Sequence, residues 1–421
     1  MTDPEGHSHA VILGSGFSRA IGASMPTLSE LRDSVLNELA IEPQALDPFR
    51  GNLEQWMSFL AADQPWLTDA DNLGNRSLFE RVRTALARSI IKAENETLAF
   101  AMPDWLLRLV WTWCDNEAAV FTFNYDTLVE RCLASFGRVQ TFADVYAAPL
   151  MARIAAGDGS VLGADEPVGP VLSLYKLHGS VNWGFGGLLA PPNDRIVLID
   201  SLLGWQPRTK SQANRALRYR SKFADLTPLI IPPTYAKGPY FSNLSLRAQW
   251  AQAARALKVS TNLTVMGYSF PAGDLVASQW VSSNFIGSRM DVVDIAPERA
   301  AEIRVHLPDA ARGMDSSGIQ AVQNYVEREC GPLVRWTISD LDPSGAITAE
   351  LWVNGIDVLA SMSSSQRPWG NDYQAAHRWI HERIQAAAPA TAVFDRAIGG
   401  MSGSFDRRYI VLPKGSNVSL N

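Results

Sequence analysis

Apolar and polar positions run along this chain in blocks, and the blocks change period. The first, His9–Leu13, is a short apolar run that breaks into small residues at Gly14–Ser18. A buried strand ended by a glycine turn is how a doubly wound α/β domain begins. From about residue 27 to 115 apolar positions recur instead at helical spacing, as in Leu28, Leu31, Val35 and Leu39 and again in Leu78, Val82, Leu86 and Ile90. That spacing predicts a helical insertion. The β pattern returns at Ala118–Phe123, followed by polar Asn124–Asp126 and a helix over about Leu128–Phe136.

Further on, Val171–Leu177 reads as a strand that ends in a polar loop, His178–Trp183, and Ile196–Ile199 and Pro228–Ile231 read as short strands. A helix at Ser245–Leu257, a strand at Leu263–Met266, a loop at Gly267–Asp274, a helix at Leu275–Ile286 and a strand at Met290–Ile295 continue the alternation. Strands that alternate with helices imply a Rossmann-like, mostly parallel sheet. After Pro297 come helical segments, then Val334–Ile338 and Ile347–Leu359 with antiparallel-type alternation, a helix at Tyr373–Ala387 and a strand at Tyr409–Leu412. The expected organisation is an α/β domain over 1–297, with its helical insertion at 27–115, and a smaller C-terminal α+β module over 298–421.

Composition narrows the function classes. The chain has 421 residues, 47% hydrophobic and 19% charged, with a net charge of −6, which marks a globular protein and argues against a nucleic-acid scaffold. Cys114, Cys132 and Cys330 form no C-x-x-C pair, so neither a disulfide framework nor a zinc ribbon is expected. Residues Met1–Ala10 hold no apolar signal core, and the apolar stretch Trp105–Trp113 is short and contains Arg108. The expectation is a cytoplasmic protein without a membrane span.

Two stretches read as connections. Ala155–Ala164 is a small-residue loop, and Ser201–Ala224 carries six basic residues and no acidic one. Such a basic run is ordinarily a solvated face, and its sharper reading is a lid or partner surface that attracts phosphates.

Ligands of an open parallel sheet bind at the carboxyl ends of its strands, and the chemistry-bearing loops are expected there. Gly14–Ser18 allows close backbone approach to a pyrophosphate. No G-x-x-x-x-G-K-[ST] occurs in the chain, which disfavours a P-loop enzyme. Thr122–Asp126 brings a neutral amide, Asn124, and a carboxylate, Asp126, to one strand end, where they either serve a ligand or form the loop and cap the helix. His178, followed by Gly179, stands where an imidazole can titrate near neutrality.

Taken in order, Gly14–Ser18, Thr122–Asp126, Leu177–Trp183 and Gly267–Asp274 resemble the motifs of the sirtuin-like superfamily. Within that superfamily they look more like the sirtuin-like NAD hydrolases of bacterial anti-phage defence, over roughly Ala10–Pro297. The resemblance implies that Gly14, Ser15, Gly16, Phe17 and Ser18 form the phosphate- and ribose-binding turn. Asn124 and His178 would be catalytic, with Asp126 supporting them. Thr122, Gly179, Gly267, Tyr268, Ser269, Asp274 and Pro297 would complete an NAD+ site without a metal. No cysteine lies between Cys132 and Cys330, so the four-cysteine zinc module of sirtuin deacylases is missing. The resemblance therefore implies an NAD+ glycohydrolase that acts by abortive infection. A deacylase or ADP-ribosyltransferase, and a non-catalytic nucleotide sensor, are the alternatives.

The chemistry fits those residues. Cleaving the nicotinamide N-glycosidic bond develops oxocarbenium-like charge on the ribose, while the leaving group departs neutral. Asn124 is expected to fix the ribose and a water, and His178 to accept a proton. The resemblance also implies a homo-oligomer and control by a HerA-type ATPase or another sensor, with no direct nucleic-acid or membrane binding. Two other features carry less. His377 and His381 are four residues apart on a helix but lack the H-E-x-x-H pattern, and Trp105, Trp111 and Trp113 read as core or subunit contacts.

Overall fold

The computed structural model describes residues 9–135, 139, 145–146, 152–154, 161–163, 171–187, 196–198, 204–208, 226–235, 237–306, 311–339, 347–360, 369, 372–387, 398–401 and 405–418. The first eight residues, most of the 155–164 loop and the basic stretch apart from residues 204–208 lie outside them. Two compact units emerge: Met1–Ala101, Trp113–Ala134 and Val139–Val322 form the first, and Met102–Thr112, Ser135–Arg138 and Gln323–Asn421 the second.

In chain order the first part runs β1 (His9–Leu13), α1 (Ser15–Ile21), α2 (Leu28–Leu39), a 3-10 turn (Pro43–Phe49), α3 (Leu53–Ala61), α4 (Asp69–Leu98), α5 (Asp104–Asp115), β2 (Ala119–Thr122) and α6 (Leu128–Ala134). There follow β3 (Ala152–Ile154), β4 (Val161–Gly163), β5 (Ser173–Lys176), β6 (Gly179–Phe185), β7 (Val197–Leu198) and β8 (Thr227–Ile230). Then come α7 (Leu244–Val259), β9 (Asn262–Met266), α8 (Leu275–Asn284), β10 (Arg289–Asp294), α9 (Arg299–Arg304), β11 (Ala311–Arg312) and β12 (Ser316–Ser317).

The central sheet has the order β11-β10-β9-β1-β2-β5, with β12 also paired to β10, and every pairing is parallel. The expected parallel α/β architecture is what the chain adopts. Counting only these strands in chain order, the arrangement is 3-2-1-4-5-6 reversed, and the order of connection turns back between β1 and β9. Register aligns the strand ends there: Leu13 sits opposite Thr122 and Met266, and Thr122 opposite Lys176. The loops after these four strands therefore emerge at one level. Buried Ala10, Ile12, Phe121, Val265 and Val292 join Trp280 and Leu257 in the core on one face, which holds those ends rigid.

The insertion is helical for the reasons its spacing suggests. Thr27 and Glu30 form a capping box at α2, Thr68 and Asp71 another at α4, and the Asn52 side chain caps α3 by accepting from the Gln55 N–H at 3.0 Å. Such caps stabilise a helix by about 1 kcal/mol each. Leu31, Val35, Trp56, Met57, Leu60, Val82 and Leu86 make its core, which continues onto Val181 and Ile230.

Residues 178–183 differ from the expectation of a polar loop. Gly179–Phe185 is strand β6, part of a separate, largely antiparallel sheet ordered β4-β3-β7-β6-β8. The chain turns from β5 into β6 at His178 and Gly179. Gly179 has φ +80°, and a Cβ there would stand 2.0 Å from the Leu229 carbonyl oxygen, so only glycine makes this turn.

The second unit contains most of α10 (Ala321–Glu329), then β13 (Leu333–Ser339), β14 (Thr348–Val353), β15 (Ile356–Asp357), α11 (Tyr373–Ala387), β16 (Ile398–Met401) and β17 (Phe405–Val411). Its antiparallel sheet is ordered β15-β14-β13-β17-β16. No described helix is long and apolar enough to cross a membrane.

Candidate functional site

Four loops meet over the carboxyl ends of β1, β2, β5 and β9. Each is tied to its neighbour by the hydrogen-bond ladder continuing past the strands: Gly14 N–H donates to Met266 O (3.0 Å), Phe123 N–H to Leu13 O (3.0 Å) and Leu177 N–H to Thr122 O (3.0 Å). The β1 and β9 loops interlock. Gly267 has φ +60°, and a Cβ there would stand 2.4 Å from Phe17 N, while one on Gly14 would stand 2.4 Å from Gly267 O. These glycines are required first by loop-on-loop packing.

The loops enclose a cleft of about 200 Å³ lined by Gly14, Ser15, Ser18, Asn124, Asp126, His178, Gly267, Tyr268, Ser269 and Asp274, together with residues of the insertion. Other candidates are placed around it. Phe17 is buried and meets Trp113 with ring centroids 6.0 Å apart. Thr122 is buried, its hydroxyl accepting from the Asn124 N–H at 3.0 Å. Gly16 packs against Gly267, Gly179 shapes the turn after His178, and exposed Pro297 does not line the cleft.

Asn124 is held by both amide hydrogens. Its Nδ2 donates to Gly14 O (2.8 Å) and to Ser18 Oγ (2.9 Å), and the Ser18 hydroxyl donates in turn to Asp126 Oδ2 (2.6 Å). Asp126 Oδ1 accepts from the Leu128 N–H at the start of α6 (3.2 Å). Asp126 therefore braces Ser18 and caps the helix. Burial pushes its carboxyl above the ordinary value, against the opposing pull of Lys176 and the Ser18 hydroxyl. With both donors engaged, the polar atom Asn124 offers the cleft is Oδ1, an acceptor.

His178 is 6% exposed and stands edge-on to Phe123, with centroids 4.8 Å apart. Its Nε2 lies 3.2 Å from Asp274 Oδ2 and 3.4 Å from Lys237 Nζ. Burial lowers its pKa below the ordinary 6.5, opposed by Asp274 and aided by Lys237. The lowered pKa keeps the imidazole neutral at pH 7, and a proton on Nε2, the nitrogen turned to Asp274, would leave the lone pair on Nδ1. Asp274 also pairs through Oδ1 with Lys237 (2.7 Å) and accepts from the Tyr268 hydroxyl (2.7 Å). Burial raises the Asp274 carboxyl, but His178 and Lys237 outweigh it and hold the group ionised far below the usual carboxylate range. Tyr268 stacks on Phe123 at 4.3 Å.

Sequence reasoning missed two groups in this cleft, Lys237 and Glu54. Lys237 lies in a proline- and glycine-bearing loop without periodic pattern, and Glu54 looks like any acidic residue in a helix's first turn. In the second unit, the rings of His377 and His381 stack at 5.8 Å. Among the described residues no group of three or more His, Cys, Asp or Glu is placed to hold a metal. Compared with known proteins, the chain matches no family model and no curated protein.

Proposed function

We propose that this chain is an NAD+ glycohydrolase that cleaves the nicotinamide N-glycosidic bond to give nicotinamide and ADP-ribose. The observation that carries this reading is the meeting, in one cleft at the reversal point of a parallel sheet, of an anchored Asn124 acceptor and a neutral His178 backed by Asp274. Nucleotides bind at that place in doubly wound sheets, and sugar transfer needs an acceptor for hydroxyls and a base near the reacting carbon. A volume of about 200 Å³ is below the roughly 300–1,000 Å³ of complete small-molecule sites. The cleft takes the reacting nicotinamide-ribose end.

In this account Asn124 Oδ1 accepts a hydrogen bond from a ribose hydroxyl or from the attacking water. The C1′–N bond breaks with its electron pair going to the ring nitrogen, and water adds at C1′. His178 Nδ1 takes the water's proton, while Asp274 holds the ring and stabilises the imidazolium. Because the leaving group is already neutral, no general acid is needed on that side. The likeness of the motifs to anti-phage sirtuin-like proteins adds the proposal of an abortive-infection effector, whose activity is modulated by oligomerisation or by a partner such as a HerA-type ATPase. Chromatography of NAD+ incubated with the full chain tests the chemistry. Equal amounts of nicotinamide and ADP-ribose, formed without any acyl-lysine peptide, are expected, and intact NAD+ contradicts the reading.

A further inference from the structure

The insertion places in the cleft a carboxylate that the account above does not use. Glu54 stands in the first turn of α3, is 8% exposed and lines the cleft beside Lys237 and Asp274. Its backbone carbonyl accepts from Ser58 Oγ (2.5 Å), but its carboxylate meets no hydrogen-bond or ion-pair partner among the described residues. The group is fixed, since Leu53, Trp56, Met57 and Leu60 on the same helix are buried. Gly273 lies against it, so that a Cβ there would stand 2.8 Å from Oε2. Burial pushes the Glu54 carboxyl above its ordinary value, with Lys237 pulling it back and Asp274 adding to the rise, and a carboxylate short of hydrogen-bond donors at a cleft wall is a place where a ligand completes the set.

The surrounding charges say what kind of ligand. Asp274 is ionised and already matched by Lys237, and His178 is neutral. The Tyr125 and Tyr268 phenols are held neutral by burial and are engaged as donors to Ile231 O and to Asp274. Glu54 and Asp274 thus share a single nearby ammonium, Lys237, which leaves this group of three with one negative charge in excess. We infer that Glu54 selects a positively charged ring in this cleft, so that the site takes a cationic pyridinium glycoside and discriminates against its uncharged counterpart. This rests on the glycohydrolase reading and adds to it a means of product release. Once the C1′–N electron pair has passed to the ring nitrogen, nicotinamide is neutral and loses the attraction to Glu54.

The test uses ring fragments that need no turnover. Calorimetric titration of the full chain with 1-methylnicotinamide, a cation, and with nicotinamide, its neutral relative, is expected to show a preference of at least tenfold for the cation, about 1.4 kcal/mol. Glu54→Gln is expected to reduce the preference to within twofold, with an unchanged or higher Tm, because one of two carboxylates sharing a single ammonium is removed. Glu54→Asp is expected to keep part of the preference. A preference that survives Glu54→Gln, a wild type that binds both fragments equally or fails to bind the cation, or a Tm loss of several degrees in Glu54→Gln each overturns the assignment. Wild type that shows the preference but leaves NAD+ intact overturns the hydrolase reading and spares Glu54. Hydrolysis of NAD+ with a preference indifferent to Glu54→Gln does the reverse.

Discussion

Removing one partner of the Asp274–Lys237 pair leaves a charge stranded in the protein, and the size of the penalty follows from the burial. The Asp274 and Lys237 side chains are 2% and 4% exposed, with Nζ and Oδ1 2.7 Å apart. Breaking a pair buried to this extent by deleting one member costs about 3–5 kcal/mol, because the survivor loses the partner that offsets its desolvation penalty, although Lys237 keeps the attraction of Glu54. Asp274→Asn also weakens the contacts of its Oδ2 with Tyr268 and His178. At about 2 °C per kcal/mol for a chain this large, Asp274→Asn should lower Tm by roughly 6–10 °C in a calorimetric scan at pH 7. Lys237→Met should cost a comparable amount. The double variant removes both charges and should recover at least half of the summed loss. The sign with pH follows from the depressed carboxyl of Asp274. Its contribution is complete above the unfolded value near 3.8 and declines as pH falls below that. Strictly additive single and double variants, or an Asp274→Asn protein that melts within 2 °C of wild type, would refute the reasoning.

Two further outcomes follow from the same geometry. Gly267→Ala puts a Cβ into the backbone of Gly16 and Phe17 at a φ of +60°, and the left-handed conformation alone costs about 1–2 kcal/mol. Thermal scans should show a Tm at least 2–4 °C lower, and calorimetry should show weaker NAD+ binding, whereas an unchanged protein would mean that the two loops do not interlock. His178 is buried and its pKa lies below 6.5. Turnover should therefore stay flat from pH 7 down past 6.5 and fall only on the more acid side, and the stability contributed by the neutral ring should likewise fade below 6.5. A pH–rate profile with its acid limb at or above 6.5 contradicts this.

Much of the frame could be read from local pattern. β1, β2 and β9 are apolar runs, fully buried after their first residue or throughout, and such strands announce a parallel sheet covered on both faces. The insertion showed its helical period because its core is one-sided. Strand order had no local signal, since pairing β1 with β9 joins residues whose neighbourhood exists only after folding. β6 was hidden by its own polar members: Ser180 and Asn182 are fully buried, with Ser180 donating to Tyr125 O and Asn182 meeting the Tyr146 hydroxyl. Polar residues in a buried strand erase the alternation that would reveal it. At the site, Asn124 and His178 were legible as polar residues just past strand ends, whereas Asp274, at the start of α8, was picked out only by the motif resemblance, and its bond to His178 was not legible at all. Asp126 lines the cleft yet turns its carboxylate to Ser18 and the start of α6, a role that short-range spacing alone leaves open. Glu54 and Lys237 became visible only once folding brought the insertion and the described residues after β8, Pro233 and Lys237 among them, to the same cleft.

The central claim is that Asn124 and His178 cleave a nucleotide held in this cleft. Nicotinamide release from NAD+ should be measured for wild type, Asn124→Ala and His178→Ala, with NAD+ binding measured on the same samples. The account predicts release by wild type and a loss of about 100-fold or more in each variant, the scale expected for a general base or a positioning acceptor, while NAD+ binding changes by less than tenfold. Variants that release nicotinamide at the wild-type rate, or a wild type that binds no NAD+, would contradict it.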